Sequence, residues 1–303
     1  MKVVAFGGGH GLFASLRALR GLDVDITAVV TVADDGGSSG RLRSELGGVP
    51  PGDLRQALVA LSDDGEDLTA RLFQHRFRSG GDLTEHAVGN LVLAGLFDLL
   101  GDPIAALDHA GRLLKAHGRV LPMSIDPLQI EAEVDAGNGV HVVRGQADVA
   151  TARGRVLRVR LLPENPPVCA EVLRAVDEAD WLIFGPGSWF TSVIPHLLVP
   201  VLRDAIAVSE ARRLLIMNLA ADAETVGLSS AEHLTALTTH DEKFRTNIVL
   251  SDPSSIGDHV KLRNAAESLG GELIVAPVAR GDGTARHDSV ALAQALRAVM
   301  YKR

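Results

Sequence analysis

Two adjacent carboxylates, Asp34 and Asp35, lead into Gly36, Gly37, Ser38, Ser39 and Gly40 and then into Arg41 and Arg43. No other stretch of the chain is as well equipped for chemistry. Carboxylates side by side are costly to bury, so such a pair wants hydroxyl donors or a cation beside it. The glycines let backbone N–H groups turn toward a ligand, the serines add hydroxyls, and the arginine forks suit phosphate. Residues 28–32 just before are almost wholly apolar and mostly β-branched, the pattern of a strand buried on both faces. Acids, glycines, hydroxyls and arginines at the end of such a strand mark a ligand-binding edge at the carboxyl end of a sheet. The plainer alternative is a solvated Gly/Ser turn that caps a helix.

Two more strand exits have the same character. Residues 2–6 run into Gly7, Gly8, Gly9, His10 and Gly11, after which Leu12, Leu16 and Leu19 trace a helix face. A glycine turn between a strand and a helix offers unpaired N–H groups and the positive end of the helix dipole to an anion. Gly9 to Ala14 fits the G-x-G-x-x-G/A spacing of dinucleotide sites. His10 is either a ligand contact or a turn residue. The third exit, after a strand at 181–184, carries Gly185, Gly187, Ser188 and Thr191. Asn218 ends a strand at 214–217, and Arg286 stands in a polar loop at 281–288 from which it could reach an anion. Asp53 follows Pro50, Pro51 and Gly52 as the natural cap of a helix. Arg55 in that helix's first turn opposes the dipole and makes sense beside an anion. Asn90, with Gly89 in the interior of a helix expected at 85–100, either reaches the ligand or serves close packing.

The elements needed to position these residues alternate between strand and helix. Helices are expected at 68–77, 85–100, 102–117, 169–178, 256–269 and 289–300, and further strands at 247–250 and 272–275. Between 118 and 162 the period shortens to runs at 120–122, 129–134, 140–144 and 156–161, with a hairpin turn at 136–139. That pattern is an antiparallel insertion, to which no chemistry is assigned. The fold expected is α/β, a doubly wound and mainly parallel sheet, in a single domain spanning 1–303. A formal net charge of −8 argues against nucleic acid. One cysteine, Cys169, excludes an internal disulfide and a thiolate metal cluster and fits a reducing cytoplasm. No apolar run is long enough to span a bilayer. Neither a nucleophile with an adjacent base nor a Cys/His metal set is visible, so no catalytic residue and no metal ligand are assigned.

Residues 7–11, 30–43 (VTVADDGGSSGRLR), 50–53, 73–77, 89–91, 185–188 and 286–288 resemble, in order and spacing, the gluconeogenesis-factor (YvcK-like) family, a relative of 2-phospho-L-lactate transferase (CofD). The likeness covers nearly the whole chain. It departs at His10, where members usually carry Thr, and at Ala221 and Asp222, where they usually carry a Thr-Gln pair. The resemblance implies a Rossmann-like fold and a cytoplasmic regulator that binds UDP-sugars such as UDP-N-acetylglucosamine. It also implies a role in cell shape and wall synthesis during gluconeogenic growth. Three readings stay open: that regulator, a CofD-like transferase of a phospho-lactyl group whose Asp34, Asp35 and Asp53 hold a divalent cation, and an NAD oxidoreductase. The first needs no cofactor beyond its ligand. A homodimer and an unidentified protein partner in cell-wall synthesis are compatible with it.

Overall fold

The structure, a computed structural model, describes residues 1–63, 67–78, 80–137, 139–221 and 223–302. Its frame is a seven-stranded sheet built from the apolar runs recognised above. The strands are β1 (Lys2–Gly7), β2 (Asp25–Val30), β3 (Arg119–Pro122), β7 (Trp181–Phe184), β8 (Arg212–Ile216), β9 (Ile248–Ser251) and β10 (Glu272–Val275). Three strands between β3 and β7 form a separate sheet: β4 (Gln129–Asp135), β5 (Val140–Arg144) and β6 (Arg155–Leu162). The large sheet has the order β10-β9-β8-β7-β1-β2-β3, and every pairing in it is parallel.

This order records how the chain is wound. From the central β1 it steps outward through β2 to β3, then returns to the other side of β1 and steps outward again from β7 to β10. Winding outward in both directions from the centre covers both faces of the sheet with helices, and the last helix returns to pack against the first. The first half contributes α1 (Gly9–Leu19), α2 (Gly37–Leu46), α3 (Pro51–Leu61), α4 (Leu68–Gln74), α5 (Val88–Leu100) and α6 (Pro103–Leu113). A short α7 (Gln146–Ala150) lies within the insertion. The second half adds α8 (Ala170–Asp177), α9 (Pro195–Leu198), α10 (Pro200–Val208), α11 (Ser230–His240), α12 (His259–Ser268) and α13 (Ser289–Met300). Parallel strands covered on both faces must be apolar throughout, and β7 is buried along its whole length. Phe6 on β1 stacks on Phe184 of β7, 4.8 Å between ring centroids. Leu12, Leu16 and Leu19 of α1 and Leu54, Leu58 and Leu61 of α3 close the core above them.

The insertion is smaller than the sequence pattern suggests. β3 does not belong to it: β3 pairs in parallel with β2 and forms the edge of the main sheet. The antiparallel unit is β5-β4-β6, tied together by Glu131 on β4, which is ion-paired with both Arg144 of β5 and Arg160 of β6. Of the expected turn at 136–139, Asn138 lies outside the described residues, as does Asp222. Among the described residues, no helix is long and apolar enough to cross a membrane.

Candidate functional site

In a doubly wound sheet the loops after adjacent strands part where the winding reverses, and a crevice opens there at the carboxyl ends. Here the reversal falls between β1 and β7, the two strands that exit through glycine turns. The turns touch. A side chain at Gly11 would put its Cβ 2.1 Å from the Pro186 carbonyl oxygen, and one at Gly8 would stand 2.5 Å from Asp53 Oδ2 and 2.8 Å from Thr31 Oγ1. Only hydrogen fits at either position. Ser15 on α1 donates from Oγ to the Gly185 carbonyl (2.7 Å). Asn218, just past β8, holds Gly187 by both its N–H (2.8 Å) and its carbonyl (2.9 Å).

Around these turns lies a cleft of about 680 Å³. Its floor is formed by Gly8, Gly9, His10, Gly11, Gly187 and Ser188, with Ser192 close behind. One wall is the α1 face carrying Phe13, Ala14 and Arg17, and the Arg17 guanidinium lies 5.6 Å from the Phe13 ring centroid. Beyond β8 the lining is Asn218, Leu219, Ala220 and Ala221, together with Arg280, Ala285, Arg286 and His287 from the loop before α13. Burial drives the His287 imidazole down to about 4, so it is neutral at ordinary pH. The opposite end, past β2, is polar throughout: Asp34, Asp53, Gln56 and Gln146.

The acidic end is electrostatically tense. Burial, then the Asp34 charge, pushes the Asp53 carboxyl up from 3.8 to about 7, against hydrogen bonds from the Gly9 N–H and Thr31. Asp34 is also raised, chiefly by burial, although Ser39 and the Gly36 N–H (3.0 Å) bond to it. A buried and a half-buried carboxylate at the end of a cleft are poised to accept hydrogen bonds from hydroxyls or to share a cation with ligand oxygens. Among the described residues there is no group of three or more His, Cys, Asp or Glu side chains placed to hold a metal.

Several expected site residues are drawn to other work. Residues 37–46 form a helix rather than a loop, so Gly36 becomes its N-cap residue and Gly37 its first position. Ser38 is buried there and hydrogen-bonded to His86 Nδ1 (3.0 Å) and to the Asn90 amide (3.0 Å). Asn90 lies in the first turn of α5, which begins at Val88 and not at 85, and its Oδ1 accepts from Arg55 Nε (2.8 Å). Its amide is therefore spent inside the protein. Gly89 beside it is explained by close packing, since a Cβ would meet Arg55 Cδ and Phe73 at 2.7 Å. Arg55 is buried and lowered to about 10, with Gln74 as a further partner. Arg41 faces away from the cleft and donates to the carbonyls of Asp82 (3.0 Å) and Thr84 (2.5 Å); Arg43 donates to that of Leu128 (2.8 Å). Asp35 caps α7, accepting from the N–H groups of Gln146 (3.1 Å) and Ala147 (2.9 Å). Thr191 is buried in a turn of π-helix at Trp189–Val193, and Gly185 shapes its turn with φ +74°. Asp53 is not the cap of α3: Pro50 holds that position and Asp53 sits in the first turn, facing Gly8.

The cleft also gathers residues that sequence reasoning did not single out. Phe13 and Arg17 lie three and seven positions past His10, a helical spacing that was available to read. Gln56 likewise follows Asp53 by three. Nothing in the sequence announced Gln146 or Arg280.

Fold and site define a Rossmann-like α/β protein with an anion-suited crevice at its switch point. The family described as 2-phospho-L-lactate transferase CofD matches residues 3–282, and the chain belongs to that family. It is 50% identical over 98% of its length to a Mycobacterium tuberculosis protein named "Putative gluconeogenesis factor", of which it covers 90%. It is 41% identical over 88% of its length to the gluconeogenesis factor of Bacillus subtilis, covering 83% of that protein. A crystal structure of a UPF0052-family protein from Bacillus halodurans superposes with a TM-score of 0.89 at 37% identity, covering 97% of this chain and 99% of that one.

Proposed function

We propose that the protein is a nucleotide-sugar-binding regulator that takes UDP-N-acetylglucosamine or a close relative. On this reading it acts in the cytoplasm, needs no metal, and conveys ligand supply to a protein partner in cell shape and wall synthesis during gluconeogenic growth. One observation carries the binding part: two glycine turns from neighbouring strands meet at the switch point, with Arg280 and Arg286 on their flank. Exposed backbone at a helix start plus two arginines lining the same cleft is the composition of a diphosphate site. The names of the relatives support the regulatory part.

A second reading, a CofD-like transferase with a nucleotide diphosphate-linked donor, draws on the Asp34–Asp53 pair, which could share a divalent cation with donor phosphates. Calorimetry separates the two. UDP-N-acetylglucosamine, GDP and NAD are titrated in EDTA and in Mg²⁺. The regulator reading expects the UDP-sugar to bind in EDTA with little change on adding Mg²⁺. Binding that requires Mg²⁺ and is lost in Asp53→Asn would favour the transferase, and preference for NAD would reject both.

A further inference from the structure

Among the described residues, the three-stranded insertion reaches the cleft through one side chain. Gln146 opens α7 and lines the crevice at its acidic end, beside Asp34, Asp53 and Gln56. Its position is set from a distance of 111 residues, because both oxygens of Asp35 accept N–H bonds from the start of α7. The approach is tight enough that a Cβ on Gly145 (φ +101°) would lie 2.6 Å from Asp35 Oδ2. α7 in turn packs against the π-helical turn that follows Ser188. The first acid of the pair thus faces the ligand space, and the second fastens the arm that crosses it.

Strand order gives the cleft a direction. From the end of β8 to the end of β2 is three strand spacings, about 14 Å. At the β8 end, arginines stand among apolar surface: Leu219, Ala220, Ala221 and Ala285. That suits a flat base and the phosphates attached to it. At the β2 end the lining is two carboxylates and two amides, with no apolar side chain among the described residues. Such a set accepts from sugar hydroxyls and, through its amides, both accepts from and donates to an acetamido group, while its carboxylates repel phosphate and it offers no apolar face on which a base could lie.

On the nucleotide-sugar reading, which this assignment requires, we propose that Gln146, held in place by Asp35, is a specificity-determining contact to the glycosyl group of the ligand. Asp35 is then a positioning residue that acts through Gln146.

UDP-N-acetylglucosamine and UDP are titrated calorimetrically into the wild type, Gln146→Ala, Asp35→Ala and the double variant. The expected result is about tenfold weaker binding of the nucleotide sugar by each single variant, unchanged binding of UDP, and little further loss in the double variant. Equal loss for UDP would place the nucleoside at this end and overturn the assignment, as would unaltered sugar affinity in Gln146→Ala. Additive losses in the double variant would overturn the positioning role of Asp35. Gln146→Ala removes no buried apolar contact and decides the specificity claim if Asp35→Ala does not fold; Asp35→Asn, which keeps one acceptor oxygen, then serves for the positioning claim. A wild type that binds neither ligand would reject the nucleotide-sugar reading itself, and this assignment with it.

Discussion

The two ends of the cleft are built in opposite ways. At the β8 end, charge is carried by Arg280 and Arg286 on one short loop, and the surface between is apolar. At the β2 end, charge is carried by Asp34 and Asp53 on different elements, one half-buried and one buried, and close enough for each to feel the other's charge. A guanidinium stays ionised over the whole physiological range, whereas a buried carboxylate can shed its charge by taking a proton. One end therefore presents a fixed field. The other presents a field that depends on pH and on what is bound. The closely packed glycine turns lie between them and serve both.

Changing the shared middle should be the most damaging. In Gly11→Ala the new methyl group overlaps the Pro186 carbonyl, and neither backbone can yield without parting β1 from β7. Destabilisation of about 3 kcal/mol is expected, read from the urea midpoint, together with loss of binding at both ends. Wild-type stability in this variant would mean that the turns are not in contact.

The acidic end can be tested through proton linkage. Asp53 holds its proton in the folded state up to about pH 7 but releases it near 3.8 when unfolded. Across that window the folded state binds the extra proton, so stability falls as pH rises from about 4 to 7 and levels off above. The limiting slope is about 1.4 kcal/mol per pH unit for one proton. Asp53→Asn should flatten this segment of the profile in denaturant titrations from pH 4 to 8. An unchanged profile would show that Asp53 is not the group responsible.

The cationic end makes a complementary prediction. Arg286→Ala should weaken UDP and UDP-N-acetylglucosamine alike, by roughly ten- to hundredfold, since a charge-assisted contact to phosphate is worth about 1.5–3 kcal/mol. A loss confined to the sugar would reverse the two ends. The smallest effect belongs to Arg41→Ala. Its guanidinium bonds carbonyls outside the cleft, so affinity should stay within about twofold while stability falls by about 1 kcal/mol.

Much of this arrangement was legible in the sequence, and the exceptions share a cause. Glycine clusters after apolar strands announce an exit at a sheet edge, and both Gly8–Gly11 and Gly185–Ser188 are brought to the cleft. What residue types cannot convey is the side of an element on which they fall. Arg41, Ser38 and Asn90 have the chemistry of ligand contacts, yet their places on α2 and α5 point them at protein partners. Asp35 was read as equivalent to Asp34, although successive residues in an extended segment face opposite ways. β3 was grouped with the strands after it because four residues do not reveal which neighbour will pair with them. Gln146 was invisible because the bonds that aim it close a loop of more than a hundred residues.

That closure bears on how the protein folds. Ser15 and Gly185, joined by a hydrogen bond at the switch point, are 170 residues apart, and β7 takes its place beside β1 only after the insertion has been made. The crevice is thus among the last features that the chain can assemble, and contacts so distant in sequence are slow to form. A ligand that bridges both glycine turns stabilises the closed sheet as a whole rather than one lobe of it. Amide protons throughout β1 and β7 should then exchange more slowly in its presence, and a nascent chain that ends before residue 185 has no site to fill.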